Sequence, residues 1–321
     1  MNNTSKAHVI FGTGPLGMAV MRELKMRGVQ DIRIVNRSGK LSGDNKGVYV
    51  IQGDASQESI SKDICKDASV VYHCAQPGYL NWPTQFPALT RGILEGAAAA
   101  GAKLIYADNL YMYGQVHTPL NENLPHKAQG KKGITRAKMA EEVMKAHQTG
   151  KVRAAIGRAS DYYGPGVLQS FMGERVFGFA LKGKPVDVLG NLDMPHTYTY
   201  IDDFARGLAT LGLEDRAVGE VWHMPSAETI TTRQLLQLLF HELGKDCKVT
   251  ASSRGIVSIL SLFHPMMREI KEILYEFEQP FIVDHSKFVR EFGNFATTSH
   301  KEAIKNTVNW YRNMVKKEAE R

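Results

Sequence analysis

The hexapeptide Gly12-Thr13-Gly14-Pro15-Leu16-Gly17 limits what this chain can fold into more than any other stretch. It follows an apolar run, His8–Phe11, and opens an amphipathic stretch, Leu16–Arg27, that Gly28 stops. A strand, a tight turn and a helix are therefore expected in that order. Glycine at the first two positions permits a tight turn and lets the main chain approach a pyrophosphate. The third glycine lets the helix lie close on the strand, and the helix N-terminus adds N–H donors and a favourable dipole. The alternative is a glycine-rich turn without a ligand.

The alternation continues. Asp31–Val35, Val48–Gln52, Val70–Cys74, Lys103–Ala107 and Val152–Gly157 are short apolar runs, with helical stretches at Pro83–Ala100 and Ile134–His147. Strand and helix taking turns is the pattern of an α/β fold, a parallel sheet covered by helices. After about Gly164 the pattern changes. Phe171–Leu181, Asp202–Leu213, Thr231–Leu243 and Glu302–Arg312 read as helices, and Val186–Leu189 and Thr197–Ile201 as short strands. The expected organisation is a doubly wound dinucleotide-binding domain over 1–165 and a smaller α+β lobe over 166–321, with some segments of the lobe returning to the first sheet.

The end of the second strand bears on which dinucleotide is bound. A carboxylate there holds the ribose hydroxyls of NAD, and it repels a 2′-phosphate. The chain instead has Asn36-Arg37-Ser38-Gly39-Lys40, with no carboxylate before Asp44. A guanidinium, a hydroxyl and an ammonium attract a phosphate, so NADP is expected over NAD. Arg37 stacked on adenine would suit either. Asp54 either accepts from the adenine amino group or caps a helix over Ser56–Lys66.

Composition narrows the partners. With 43% hydrophobic and 23% charged residues among 321, the chain is ordinary for a soluble globular protein. The net charge of +7 is spread along the chain. Its local cluster, Lys127, Lys131, Lys132, Arg136 and Lys138, reads as a solvated helix start, and no nucleic-acid partner is expected. Cys65, Cys74 and Cys247 are too scattered for a disulfide framework or a metal site. Met1–Lys6 is short and polar, and no apolar run is long enough for a membrane span, so a cytoplasmic protein is expected.

Ordered blocks then accumulate: Gly53-Asp54, Val71-Tyr72-His73-Cys74-Ala75, Tyr111-Met112-Tyr113-Gly114, Tyr162-Tyr163-Gly164-Pro165-Gly166, Tyr198-Thr199-Tyr200-Ile201-Asp202-Asp203 and Asp284-His285-Ser286-Lys287. With the glycine turn, they make nearly the whole chain resemble the extended short-chain dehydrogenase/reductase family, in its epimerase/dehydratase branch. The resemblance implies a Rossmann lobe for NAD(P), a lobe that closes over a substrate, and a homodimer formed through the helices at Pro83–Ala100 and Ile134–His147. It places the dinucleotide against Gly12, Gly14, Pro15, Leu16 and Gly17 after strand one and Asn36, Arg37 and Ser38 after strand two. Further contacts fall on Asp54 and Ala55, on Cys74, Ala75 and Gln76, on Lys138, and on Ala159 and Ser160.

The family also implies a Ser or Thr, a Tyr and a Lys that handle a proton while hydride moves, because hydride addition to a ketone leaves alkoxide charge. On this chain the Ser/Thr position is Asn109, the Tyr position Ile134 and the Lys position Lys138. An isoleucine transfers no proton. Where nucleotide-sugar enzymes of the branch carry Arg and Asn, this chain has His196 and Asp161. A carboxylate repels a diphosphate, so a nucleotide sugar is disfavoured and a small or apolar carbonyl or enone compound is expected. Tyr111, two residues beyond Asn109, is the expected replacement acid, with Asp161, Asp108 and His196 as further candidates. Tyr111, Asn109, Lys138 and Asp161 thus form the expected catalytic set. Each candidate has a plainer role: Tyr111 in packing, Asp108 as a turn cap, His196 as a surface residue and Lys138 as an exposed helix lysine.

Three functions follow. The first is an NAD(P)-dependent oxidoreductase with a non-standard proton donor. The second is a catalytically silent NAD(P)-binding regulator, and the third an NAD-dependent epimerase or dehydratase.

Overall fold

The structure, a computed structural model, describes residues 6–41, 45–293 and 295–319. Residues 1–5 and Asp44, which entered the sequence reading, lie outside them. Two compact units divide the chain. Unit 1 gathers residues 1–112, 131–158 and 204–224, and unit 2 gathers 113–130, 159–203 and 225–321.

In unit 1, β1 (Ala7–Phe11), β2 (Ile32–Asn36), β3 (Tyr49–Gln52), β4 (Ala68–His73), β5 (Lys103–Asp108) and β6 (Arg153–Arg158) alternate with α1 (Pro15–Met26), α2 (Glu58–Cys65), α3 (Trp82–Ala99) and α4 (Lys131–Gln148). The sheet runs Val221–His223, β6, β5, β4, β1, β2, β3, and every pair is parallel. Every residue of β1, and every residue of β6 after Arg153, is buried. That continuous apolar signature is what a sheet covered on both faces requires. Sequence order reverses between β1 and β4, and ligands of such sheets bind outside the strand ends at that switch point. The fold is the α/β doubly wound Rossmann type.

Unit 2 is built from short two-stranded ladders and helices. Thr199–Tyr200 pairs with Tyr162–Tyr163, Val249–Ser252 with Val186–Leu189, and Ile230–Thr231 antiparallel with Pro195–His196. The single strand expected over Thr197–Ile201 is broken because Thr197 turns its N–H to the Phe281 carbonyl, 2.9 Å away. Phe171–Leu181 is helical only from Glu174, as a π-helical turn running into Phe179–Leu181. The helix Thr232–Leu243 has a reciprocal cap between Thr231 and Gln234, and Gly244 ends it in the left-handed conformation. Its Leu235, Leu236 and Leu239 pack with Val176, Phe177, Tyr198, Ile304 and Tyr311. Among the described residues no helix is long and apolar enough to cross a membrane.

Candidate functional site

The glycine turn is stitched to the loop after β4. Gly12 N–H donates to Val35 O at 3.0 Å, and Cys74 N–H donates to Phe11 O at 2.9 Å. Gly12 sits at φ +108°, and a Cβ there would lie 2.8 Å from the main-chain N and Cα of Ala75. Only glycine fits. A Cβ on Gly17 would collide with the Gly12 carbonyl oxygen, so α1 lies directly on the turn. Gly14 caps α1 with no side-chain acceptor, and Pro15 occupies its first turn. This uncapped helix start aims main-chain N–H groups and a positive dipole end at whatever lies beyond it.

Neighbouring strand ends flank this turn. Asn36 Oδ1 accepts from Ser38 N, Ser38 Oγ and Gly39 N, and Asn36 Nδ2 donates to Lys40 O at 2.8 Å. Its side chain is therefore engaged in building the turn, which leaves Arg37, Ser38 and Lys40 exposed. Asp54 Oδ1 accepts from Ser56 N and Ser56 Oγ, while Gln57 caps α2. The Ser56 hydroxyl and N–H, with a smaller contribution from the charge of Arg37, hold Asp54 below the usual carboxylate range. Burial pushes the Cys74 thiol up to about 12, so it stays a neutral wall. Ala55 is buried and Gln76 exposed.

On α4 the positions that the family pattern selects lie on the exposed face, and two other cations lie inside. Ile134 is 38% exposed and Lys138 is exposed. Lys132 and Arg136, also one turn apart, are buried. Lys132 Nζ donates to the Tyr79 carbonyl oxygen at 2.5 Å and stands 3.7 Å from the centre of the Tyr79 ring. The Arg136 guanidinium lies 4.4 Å from the ring centres of both Trp82 and Phe86, a cation–π arrangement. It also bonds Tyr106 Oη at 3.1 Å and Asp108 Oδ1 at 3.3 Å, while Arg158 Nε reaches Asp108 Oδ2 at 3.1 Å. Asp108 is thus the buried anchor of two guanidiniums, and the cluster expected as a solvated helix start is in part an interior one. Asn109 Oδ1 accepts from Tyr111 N–H at 3.2 Å, and the Tyr111 ring, 8% exposed, packs 6.0 Å from Trp82.

Unit 2 joins Asp161 and His196. His196 is held in place by main-chain pairing to Ile230 on one side and Phe281 on the other. Its ring is 2% exposed, stacked 5.1 Å from Phe277 and 5.2 Å from Phe281. Nδ1 lies 3.1 Å from the Glu276 carbonyl oxygen and Nε2 lies 3.0 Å from Asp161 Oδ2. The plainer reading of His196 as a surface residue therefore fails. The Glu276 side chain is buried beside them, and burial, reinforced by the charge of Asp161, raises its carboxyl well above the ordinary range. Ala159 and Ser160 are buried just before Asp161. The block Tyr198–Asp203 serves as structural ties: Tyr198 Oη meets Thr232 Oγ1 at 2.7 Å, and Asp203 accepts from Thr298 N and Oγ1 at 2.8 Å each.

Sequence reasoning missed Lys132 and Arg136 as interior residues, and Glu276 altogether. A signal for the first two existed. The apolar stripe Met139, Val143, Ala146 extends backwards by threes and fours onto Arg136 and Lys132. Ile134 lies about 180° away from Val143 around the helix. Glu276 lies in a short 3₁₀ turn, Leu274–Phe277, with no periodicity to reveal it.

Comparison with known proteins bears on the whole. The family model described as NAD dependent epimerase/dehydratase family matches residues 9–223. A dTDP-glucose 4,6-dehydratase from Actinoplanes sp. is 26% identical over 208 residues, a match spanning 63% of this chain and 57% of that protein. Among solved structures, dTDP-glucose 4,6-dehydratase from Streptomyces venezuelae with NAD and TYD bound aligns at TM-score 0.78 and 18% identity, covering 96% of this chain and 97% of that one. UDP-glucose 4-epimerase from Thermotoga maritima with UDP-glucose aligns at 0.77 and 20%, covering 96% and 99%. UDP-glucuronic acid 4-epimerase from Bacillus cereus with NAD aligns at 0.78 and 18%, covering 97% and 98%. At these identities the solved structures establish a shared fold. By their names these relatives act on nucleotide sugars, which overturns the expectation that such a substrate is disfavoured and removes the ground for a small apolar carbonyl compound. The physical premise behind that expectation also changes, since the Asp161 carboxylate is occupied by His196 rather than bare.

Proposed function

Because the chain belongs to the NAD-dependent epimerase/dehydratase family, we propose that it is an NAD(P)-dependent enzyme that oxidises and reduces the sugar of a nucleotide-linked substrate, with NADP as its preferred cofactor. The observation that carries this reading is the joined turn at the ends of β1 and β4, where a side chain at Gly12 would strike Ala75. A cradle that excludes even a methyl group beside an uncapped helix start suits a pyrophosphate. Gly12, Gly14, Pro15 and Gly17 hold the phosphates, and Asp54, Cys74 and Ala75 flank the adenosine. Bound there, the dinucleotide supplies hydride exchange at its nicotinamide.

The preference for NADP is supported by the Asn36 turn, which presents Arg37, Ser38 and Lys40 outward with no carboxylate among them. On α4, Lys132 and Arg136 are buried braces for the segment that carries Tyr79, Trp82 and Phe86. Both are cations, so they set the electrostatic potential and hold the loop carrying Tyr79, while the proton is handled elsewhere.

The test is equilibrium binding of NADP and NAD, followed by turnover with dTDP- and UDP-linked hexoses. The expected result is NADP bound at least about tenfold more tightly, a preference erased by Arg37→Ala, as loss of a charge-assisted phosphate contact of about 1.5–3 kcal/mol implies. Hydride exchange with a nucleotide hexose is also expected. Failure to bind either dinucleotide overturns the reading, and tight binding without exchange favours the silent regulator.

A further inference from the structure

We propose that the helical hairpin formed by Arg254–Leu260 and Pro265–Ile273 is a membrane-surface insert, whose apolar crest enters the outermost acyl layer of an anionic lipid bilayer. Such docking goes beyond the proposed reaction and is independent of it, and the whole hairpin lies in unit 2.

Apolar side chains scattered singly over a surface need no explanation, but a cluster of them does. Ile256, Ile259, Leu260, Leu262, Phe263 and Met266 are all exposed, six large side chains within eleven residues. Exposure peaks at the connection between the two helices, 73% at Leu262 and 74% at Phe263, which makes the surface a crest rather than a groove. The opposite face is already satisfied. Val257, Ile270 and Leu274 are buried there and pack with Phe171, Leu189 and Met267. The crest is therefore surplus to the core and is held outward on an anchored hairpin.

The main chain at the crest also suits lipid. No water solvates a backbone N–H in the acyl layer, so such a group must be bonded within the protein. Leu262 N–H donates to Ile259 O at 3.2 Å, and Phe263 and His264 N–H both donate to Leu260 O, at 3.1 and 2.9 Å. Pro265 brings no N–H, and Met267 N–H donates to His264 O at 3.0 Å. The Ser261 hydroxyl is turned inward and donates to Ser258 O at 2.7 Å.

Charge decides between lipid and a second copy of the chain. From Gly255 to Met267 there is no Asp, Glu, Lys or Arg. The exposed charges that border this run, Arg254, Arg268 and Lys271, are all positive, whereas Glu269 and Glu272 are half-buried. Arg254 is engaged with Glu278, which leaves Arg268 and Lys271 as the cations that follow the crest. Two copies meeting crest to crest would bring like charges together, while an anionic headgroup layer neutralises them. The net charge of +7 acts in the same sense at longer range. The uncharged run of thirteen residues is too short to span a bilayer and suits a segment that lies in its surface.

The experiment is co-sedimentation of the full chain with vesicles of phosphatidylcholine alone and of phosphatidylcholine mixed with phosphatidylserine. Wild type is expected to pellet with the mixed vesicles, to bind the neutral ones less, and to be released as salt rises. Leu262→Ser combined with Phe263→Ser is expected to bind roughly 100-fold more weakly, about tenfold for each side chain kept out of the acyl layer. Arg268→Gln combined with Lys271→Gln is expected to weaken binding to the mixed vesicles by about tenfold or more and to leave neutral vesicles unaffected. Met26→Ser, which removes a lone side chain 76% exposed in unit 1, is expected to bind as wild type does. In Phe263→Trp, brominated acyl chains are expected to quench fluorescence beyond the wild-type level, a signal that a damaged fold would not give. Wild type that stays in the supernatant with the mixed vesicles overturns the proposal, and that result needs no variant. Undiminished binding by the serine pair overturns it as well. So does a vesicle-free dimer, seen by sedimentation velocity, that the serine pair dissolves, because a second copy then covers the crest.

Discussion

Lys132 Nζ donates to the main-chain carbonyl of Tyr79 and lies 3.7 Å from the centre of that residue's ring. One contact thereby ties the first turn of α4 to the loop that leaves β4, next to the cradle in which Ala75 meets Gly12.

Lys132→Met removes that tie and leaves a carbonyl without its donor. A loss of roughly 1–3 kcal/mol is expected, with weaker dinucleotide binding. Lys138→Ala and Ile134→Tyr, on the exposed face, are expected to stay within about 0.5 kcal/mol of wild-type stability. Denaturant midpoints on the three variants check this. A stability loss at Lys138 with none at Lys132 would contradict the buried brace.

Asp108→Asn is expected to be the most damaging single change in unit 1. Its carboxylate bonds Arg136 through one oxygen and Arg158 through the other, and all three side chains are buried. Removing one partner of a buried ion pair costs about 3–5 kcal/mol. Urea unfolding measures it, and a loss below about 1 kcal/mol, the scale of an exposed pair, would contradict a buried anchor.

Gly12→Ala forces a side chain onto a residue at φ +108° and within 2.8 Å of Ala75. A strain of roughly 1–3 kcal/mol and loss of dinucleotide binding are expected. At Gly14 a Cβ meets nothing within 4 Å, so Gly14→Ala should fold normally. Thermal melts with and without dinucleotide separate the two. Equal behaviour of both variants would show that the turn is not a close-fitting cradle.

How much of this was legible in the sequence differs between the two units. In unit 1 the first six strands were expected within two residues of where they lie, because a sheet buried on both faces writes long apolar runs that few other elements share, while the seventh, the three-residue Val221–His223, was too short to be read. Asp161 and His196 were visible as candidates, yet nothing in a sequence 35 residues apart says that they touch. The contact depends on Phe281 and Ile230 flanking His196, a pairing set by tertiary structure. The interior placement of Lys132 and Arg136 was missed for a different reason: the basic cluster was read by its charge, while the apolar stripe of α4 extends onto both. Tyr79 and Trp82 carried no motif and were found only because they pack on these two cations.

Stability should fall in mild acid. Burial, reinforced by Lys103, lowers His8 to about 4, and burial, reinforced by Arg136, lowers His73 to about 3. Both are neutral in the folded state at pH values where the unfolded chain, near 6.5, already binds protons. The unfolded state therefore gains protons first, and stability declines as pH drops below 6.5, by up to roughly 1.4 kcal/mol per pH unit for each histidine. Glu276 acts in the opposite sense: its raised folded value means that stability is lost as pH rises above the ordinary carboxylate range. Urea midpoints from pH 7.5 to 4.5 should show a slope that His73→Gln makes shallower by about one proton, and Glu276→Gln should gain stability on the alkaline side. A flat acid limb in the wild type would contradict the burial of both histidines.

The central claim is that this dinucleotide scaffold moves hydride to and from a nucleotide-linked sugar. The most direct measurement is a stopped-flow record of nicotinamide absorbance when dinucleotide-loaded protein meets dTDP- and UDP-linked hexoses. The account predicts a change in reduced nicotinamide with at least one hexose. No change with any hexose at saturating dinucleotide would contradict it.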